Sequence, residues 1–159
     1  MATPRARLGR ESRARSQAKV VMAEDNHLKW TNDLSVGNAE LDAQHKEMLH
    51  LLNDLYDLLE RAHTRKSVDE FINDAEKFAE VHFESEERLM RQAGFPDIEE
   101  HHKAHQEYRG LVEQIRQRPG VEQGMDLFFF LKEWWLGHLY GPDRDYITWL
   151  ATLSATRVG

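Results

Sequence analysis

The sequence predicts an all-α protein, namely an antiparallel up-down-up-down four-helix bundle with an N-terminal arm and a short C-terminal helix. Apolar residues recur at steps of three and four in four successive segments, which is the period of an amphipathic helix. Stretches that contain glycine or proline separate the second, third and fourth of these segments, and short loops make successive helices antiparallel. With 159 residues, the chain is long enough for one domain with a hydrophobic core and too short for two.

The first helix is predicted between Asn38 and Arg61. Its inward face carries the apolar residues Leu41, Met48, Leu49, Leu52, Leu55 and Leu59. His45 falls on the same face. Residues 26–37, with Trp30 and Leu34, are predicted to form an ordered arm that packs on the bundle.

The second helix is predicted to begin at a capping box formed by Ser67 and Glu70. Its inward face then runs through Phe71, Ala75, Phe78, Ala79, His82, Phe83, Glu86, Leu89 and Met90. An imidazole and a carboxylate therefore lie on an otherwise apolar stripe.

The third helix follows a turn at Gly94, Phe95 and Pro96, and Asp97 is its predicted N-cap. Its inward face carries Ile98, His101, His105, Tyr108, Val112 and Ile115. Two more histidines are thus expected to face the core.

The fourth helix follows a loop around Pro119 and Gly120. Its inward residues are Leu127, Phe128, Leu131, Trp135 and His138. Gly141 and Pro142 are predicted to end it. The segment from Asp143 to Leu153 is predicted to form the short C-terminal helix.

The composition limits the ligands and partners of the chain. Cysteine is absent, so disulfides and thiolate metal sites are excluded, and any metal must be held by His, Asp or Glu.

Residues 1–21 carry six basic residues and one acid, while the other 138 residues have a formal net charge of −12. We interpret residues 1–25 as a basic, disordered extension and residues 26–159 as the folded domain, whose acidity argues against nucleic-acid binding. No apolar run resembles a membrane span or a secretory signal, which favours a cytoplasmic protein.

Each of the four predicted helices places at least one histidine on its inward face. A single buried histidine usually has an ordinary hydrogen bond, since leaving it unpaired costs about 1–3 kcal/mol. Five inward imidazoles with Glu86 in so small a bundle instead favour a shared metal site. His82 and Glu86 are four residues apart, as are His101 and His105, and a step of four turns only about 40° around a helix.

His138 and Asp143 are five residues apart, which on an unbroken helix would separate them by about 140°. Gly141 and Pro142 lie between them and break the helix. We therefore expect Asp143 to turn back toward the site, where an acid early in the next helix also suits the positive end of that helix.

Four motifs together resemble the hemerythrin family, specifically its single-domain bacterial members. They are ELDAQHKEML with His45, HFESEERLM with His82 and Glu86, HHKAH with His101 and His105, and WWLGHLYGPDRDY with His138 and Asp143. The resemblance spans Trp30 to Tyr146, about three quarters of the chain. Seven residues of ligand type in the family's order are far more specific than a lone His-x-x-x-His pair.

The resemblance implies a non-haem di-iron centre, with two iron ions and a bridging oxo or hydroxo group, that binds dioxygen. The implied ligands are His101, His105 and His138 on one iron, His45 and His82 on the other, which keeps an open position, and Glu86 and Asp143 as bridges. A ligand set this rich in neutral imidazoles favours reversible binding over cleavage of the O–O bond.

By the same resemblance, an oxygen pocket surrounds the open position. Its residues are Met48, Leu49, Phe83, Trp135 and Tyr146. The family commonly has a leucine three residues before the histidine of the fourth helix, where this chain has Trp135. The larger ring is expected to narrow the access of oxygen or to slow the entry of water and anions. The Gly141–Pro142 pair is also less usual in the family, which bears on the geometry at Asp143.

The other histidines, His27, His50, His63 and His102, lie off the inward faces and are predicted to face solvent. His50 and His102 each follow a glutamate by three residues, which matches the Glu-x-x-His pattern of ferritin-like di-iron enzymes. Using them would turn the leucine stripe of the first helix toward water, so we reject this alternative.

The leading functional hypothesis is an oxygen carrier, store or scavenger that is not an enzyme. One alternative is a di-iron enzyme that reduces peroxide, oxygen or nitric oxide, and another is an oxygen or redox sensor that acts through a partner. An enzyme needs a proton donor near the open position, and Tyr146 is the candidate that the sequence offers. Besides dioxygen, an oxygen-consuming enzyme or a reductase is the expected partner.

Overall fold

The computed structural model describes residues 27–61, 64–117 and 123–156. The helices are α1 (Ala39–Glu60), α2 (Arg65–Ala93), α3 (Ile98–Arg116), α4 (Gln123–Tyr140) and α5 (Pro142–Thr156), with a short 3-10 turn at Asn32–Leu34. Helices α1 and α3 each pack against both α2 and α4, so the first four helices close into a bundle, and α5 packs against α4. The predicted all-α bundle with a C-terminal helix is confirmed. The N-terminal extension, His63 and the Pro119–Gly120 loop lie outside the described residues.

Helix α1 begins where the sequence predicts. The side chain of Asn38 accepts hydrogen bonds from the backbone N–H groups of Glu40 and Leu41, at 3.0 and 3.1 Å. These bonds satisfy two of the N–H groups that a helix start otherwise leaves unpaired.

The predicted capping box of Ser67 and Glu70 is wrong, because α2 begins two residues earlier, at Arg65. Thr64 is the N-cap, and its hydroxyl accepts a hydrogen bond from the N–H of Ser67 at 3.2 Å. The hydroxyl of Ser67 accepts in return from the N–H of Thr64 at 3.0 Å. Ser67 therefore closes the capping box instead of opening it.

The turn between α2 and α3 follows the prediction, apart from one cap. Gly94 ends α2 in the left-handed conformation, with φ 75°, and the N–H of Phe95 bonds to the carbonyl of Met90 at 2.9 Å. Asp97 occupies the N-cap position of α3, but its side chain makes no cap hydrogen bond. Its backbone carbonyl starts the helix by accepting from the N–H of His101.

The arm before α1 packs on the bundle, as predicted. The side chain of Asn53 on α1 accepts from the N–H of Leu28 at 2.7 Å and donates to its carbonyl at 2.9 Å. Leu28, Leu34 and Val36 are buried. Two hydrogen bonds between the Asn53 side chain and the Leu28 backbone, together with three buried apolar side chains, thus hold the arm on the bundle.

The buried residues form two apolar clusters with polar residues between them. Along α2, Phe83 belongs to the larger cluster and Met90 to the smaller one, and the buried carboxylate of Glu86 lies between the two. The smaller cluster is completed by Phe95 and Tyr146. None of the helices in the described part of the chain combines the length and apolar character that a membrane span requires.

Candidate metal centre

All seven predicted metal ligands are buried inside the bundle. Helix α1 carries His45, α2 carries His82 and Glu86, α3 carries His101 and His105, α4 carries His138, and α5 carries Asp143. Their exposed fractions are between 0 and 4%. The four-residue steps within α2 and α3 place each pair on one helix face, so five helices contribute to one polar interior.

These residues form two adjoining groups of metal donors. One group contains Glu86, His101, His105 and His138, and the other contains His45, His82, Glu86 and Asp143. Within each group, one donor atom from every residue lies within 4.8 Å of the others. Because Glu86 belongs to both groups, the geometry suits two neighbouring cations that share a carboxylate.

The carboxylate of Glu86 lies at the meeting point of four imidazoles. Its Oε2 lies 2.9 Å from Nε2 of His101 and 3.2 Å from Nε2 of His105. The Nε2 atoms of His138 and His82 lie 3.5 and 3.7 Å from the same oxygen. All four rings therefore present the same nitrogen toward one point.

Asp143 reaches the site because the chain breaks between α4 and α5. The N–H of Gly141 bonds to the carbonyl of Gly137 at 3.0 Å, and α5 then begins at Pro142. This places Oδ1 of Asp143 3.0 Å from Nε2 of His138, and Oδ2 3.5 Å from Nε2 of His45. The helix break thus turns Asp143 back toward His138, as predicted.

Several buried polar atoms of the site have no hydrogen-bond partner in the protein. They include both ring nitrogens of His45, Nε2 of His82 and Oε1 of Glu86. A buried polar atom without a partner costs about 1–3 kcal/mol. Bound cations would supply the missing partners, and five imidazoles with two carboxylates and no thiolate are a donor set that suits iron. The residues present therefore fit the metal.

The electrostatics of the site separate neutral from charged imidazoles. Burial lowers the pKa of His82 to about 3 and also lowers the pKa of His45, so both rings are neutral and their lone pairs can bind a metal. Burial opposes the charge of His138 too, but Asp143 and Glu86 raise its pKa to about 10. The two carboxylates are thus strong enough to hold a positive charge in the core.

The sequence analysis missed two residues that contact Nδ1 of a histidine, on the side of the ring that faces away from the site. Oε1 of Gln44 lies 2.9 Å from Nδ1 of His82, and Oε1 of Glu87 lies 2.8 Å from Nδ1 of His105. Each of the two lies beside a donor in sequence, about 100° around the helix from the inward stripe. Glu87 also has Arg91 four residues later, which is the pattern of a surface ion pair.

The histidines that were predicted to face solvent differ from one another. His50 is exposed, which agrees with the rejection of the ferritin-like alternative. His102 is only partly exposed, and its Nδ1 lies 2.9 Å from Oε1 of Glu87. His27 is also half-buried and lies 2.7 Å from the carboxylate of Asp57. For His27 and His102 the prediction was incomplete, because each packs against an acid of a neighbouring segment.

The predicted pocket residues occupy three different surroundings. Met48 and Trp135 line a cavity of about 10 Å³ together with Leu51, Leu52, Phe71, Ala75, Phe78, Tyr108 and Leu131. The ring centre of Trp135 lies 5.2 Å from that of His82, and Leu49 is buried in the same apolar cluster. Phe83 stacks on His105, with 3.8 Å between ring centres. Tyr146 lies in the smaller cluster and does not line this cavity.

Comparisons with known proteins agree with this geometry. Residues 36–150 match the family model described as the hemerythrin HHE cation binding domain. A bacteriohemerythrin of Ralstonia nicotianae is 33% identical over 127 residues, which cover 78% of this chain and 89% of the relative. A bacteriohemerythrin of Stenotrophomonas maltophilia is 31% identical over 121 residues (75% and 78%), and a hemerythrin-like protein of Naegleria gruberi is 27% identical over 118 residues (74% and 88%). Since the matched region contains the whole cluster of buried donors, the chain belongs to the hemerythrin family and carries a non-haem, iron-dependent oxygen-binding domain.

Proposed function

We propose that this domain binds dioxygen reversibly at a di-iron centre and acts as an oxygen carrier, store or scavenger. The observation that carries the proposal is the pair of donor groups that share Glu86. In this assignment His101, His105 and His138 would hold one iron, His45 and His82 would hold the other, and Glu86 and Asp143 would be shared between the two.

The two donor groups differ in their number of imidazoles, three in one and two in the other. If Glu86 and Asp143 were both shared, the site beside His45 and His82 would have one protein donor fewer and would keep a position for a small ligand. Bound iron would supply the electrons that dioxygen accepts on binding and gives back on release. Trp135 is 2% exposed, and its ring centre lies 5.2 Å from that of His82, so the indole excludes bulk water from this side of the ring. A dry pocket limits side reactions with water and anions.

Two features favour ligand binding over catalysis. The donor set is rich in neutral imidazoles, which stabilise high iron oxidation states less than a carboxylate-rich set does. The proton donor that the sequence suggested, Tyr146, packs with Met90 and Phe95 in the smaller cluster. Burial and the nearby charge of Glu86 raise the pKa of Tyr146, so it is a poor acid. We therefore propose that the chain is not an enzyme.

Reversibility of the visible spectrum tests the proposal. Protein loaded with iron is reduced without oxygen, exposed to air once, and then purged with argon. We expect a visible absorption that develops in air, disappears under argon and returns in a second cycle. Irreversible oxidation in the first cycle, or sustained turnover of peroxide or nitric oxide, would contradict the carrier hypothesis and favour the enzyme hypothesis.

An oxygen-consuming enzyme or a reductase remains the proposed partner.

A further inference from the structure

In each donor group, one histidine is hydrogen-bonded through Nδ1, the ring nitrogen that faces away from Glu86, to a polar side chain outside the group. The Nδ1–H of His105 donates to the carboxylate of Glu87, and the Nδ1–H of His82 donates to the amide oxygen of Gln44, at 2.8 and 2.9 Å. In both rings Nε2 then carries the lone pair and faces Glu86, at 3.2 and 3.7 Å. The two supports are alike in geometry but differ in charge.

The charge on Glu87 is well supported. Glu87 is 6% exposed, and besides His105 it accepts hydrogen bonds from Nδ1 of His102 at 2.9 Å and from Arg91 at 2.7 Å. Three N–H donors, one of them a guanidinium, match an ionised carboxylate, which only accepts hydrogen bonds. Glu87 is therefore a buried carboxylate that is paired with a cation.

Gln44 lies between Ser85 and His82. Its amide nitrogen donates to the hydroxyl of Ser85 at 3.2 Å, and its amide oxygen faces Nδ1 of His82. Gln44 therefore fixes the orientation of its histidine as Glu87 does, but without a negative charge. A carboxylate that accepts the Nδ1–H draws that proton toward itself and makes Nε2 a more basic ligand than a neutral amide does.

We propose that Glu87 and Gln44 are positioning residues that increase the difference between the two metal sites beyond the difference in their number of histidines. Glu87 strengthens the three-histidine site and stabilises its oxidised metal, whereas Gln44 orients His82 while leaving the two-histidine site weaker and easier to reduce. This inference rests on the proposed di-iron function. His105 and His82 are both histidines with Nε2 facing the site, so the difference between these two donors comes from the residues that accept their Nδ1–H groups.

Titration of metal-depleted protein with Co²⁺, followed by calorimetry and visible absorption, tests the inference. Wild type should take up two Co²⁺ ions with unequal affinities. Glu87→Gln keeps a hydrogen-bond acceptor but removes the charge, and it should weaken the tighter step by about 10- to 100-fold while leaving the other step unchanged. Gln44→Glu should tighten the weaker step and bring the two affinities closer together.

The matched control is Glu80→Gln. Glu80 lies on the same helix and is paired with Arg109 at 2.6 Å, so this variant also removes a carboxylate that is paired with an arginine. It should change neither binding step. If Glu87→Gln behaves like Glu80→Gln, Glu87 acts only in packing and the inference is overturned for it. A weaker step that Gln44→Glu leaves unchanged overturns the role of Gln44.

Two further measurements distinguish an effect of Glu87 on the metal-binding strength of His105 from a purely structural role. In the Co²⁺ protein, Nδ1–H protons of bound histidines give shifted, exchangeable proton NMR signals, and Glu87→Gln should move the signal of His105 and leave that of His82 in place. In the iron protein the same variant should raise the midpoint reduction potential. If the wild type does not take up two Co²⁺ ions, the proposed function itself is refuted. If the wild type takes up two ions and the variants behave like it, only the proposed roles of Glu87 and Gln44 are refuted.

Discussion

Nε2 of His138 lies 3.0 Å from Oδ1 of Asp143, although the two residues belong to different helices. Helix α4 ends at Tyr140, and Asp143 is the second residue of α5. The carboxylate therefore stands at the positive end of α5 while it contacts a histidine at the negative end of α4. The helix break thus determines whether α5 contributes to the metal site.

Gly141→Ala should disturb this break. A Cβ at position 141 would lie 2.9 Å from the carbonyl oxygen of Gly137, so the backbone must shift. We expect a loss of stability of about 1–3 kcal/mol from this overpacking and a lower iron content, because Asp143 moves with the start of α5. Urea unfolding and metal analysis measure the two effects.

Gly137→Ala is the matched control for that variant. An added Cβ there meets nothing within 4 Å, and alanine is the better helix former, so iron content should stay at the wild-type level. Equal iron content and stability in the two variants would mean that the break tolerates a shift and does not control Asp143.

The helix faces and the burial of the candidate ligands were predictable because both depend on local periodicity. Leu41, His45 and Met48 recur at the helical period, and a side chain on that stripe is buried whether it is apolar or polar. Asp143 was predictable because Gly141 and Pro142 show in the sequence where the helix must stop.

The errors arose where two or more local structures are equally compatible with the sequence. Thr64 and Ser67 have the spacing of a capping box, and so do Ser67 and Glu70, and the path of the preceding loop decides between them. The contact between Glu87 and His105 joins two helices, and no pattern within α2 reveals which charged residue beside the stripe will meet a neighbouring helix.

Substitution of individual histidines should sort the ligands from the other histidines. Wild type loaded with iron should contain two irons per chain, and His101→Ala or His138→Ala should lose at least one of them, because each removes a donor from the three-histidine group. His50→Ala is the control, since His50 is exposed on α1 and should leave iron content and the visible spectrum unchanged. His102 is a poor control because it contacts Glu87. One iron per chain in fully loaded wild type would contradict the dinuclear assignment.

Metal uptake should release protons. Burial opposes the charge of His138, but Asp143 and Glu86 raise its pKa from the ordinary 6.5 to about 10, so without metal the ring is protonated at neutral pH and loses its proton only near pH 10. A metal must displace that proton, and the apparent affinity should fall about tenfold for each pH unit below the pKa of the ring. Calorimetry of Zn²⁺ binding in two buffers of different ionisation enthalpy counts the protons. Equal binding enthalpies in the two buffers would show that no proton is released.

Trp135→Leu should open the route to the two-histidine side. The indole is 2% exposed, its ring centre lies 5.2 Å from that of His82, and it lines the small cavity beside Met48. Leucine would enlarge this space at a cost of about 1–3 kcal/mol from lost packing. We expect the variant to bind two irons, to admit oxygen and azide faster in stopped-flow mixing, and to lose its oxygen-dependent spectrum sooner, because a wetter site is less protected.

Trp134→Leu is the control that distinguishes opening of the cavity from a general loosening of the bundle. Trp134 stacks on His138 of the three-histidine group, with 4.5 Å between ring centres, and it is absent from the lining of the cavity. Removing it deletes an indole of the same size next to the other donor group, so a general loosening of the bundle should affect both variants. If the open position lies beside His82, only Trp135→Leu should speed the entry of oxygen and azide. Equal entry rates in the two variants and the wild type would mean that Trp135 serves only core packing, and small ligands would then have to reach the metals by a route that avoids the cavity.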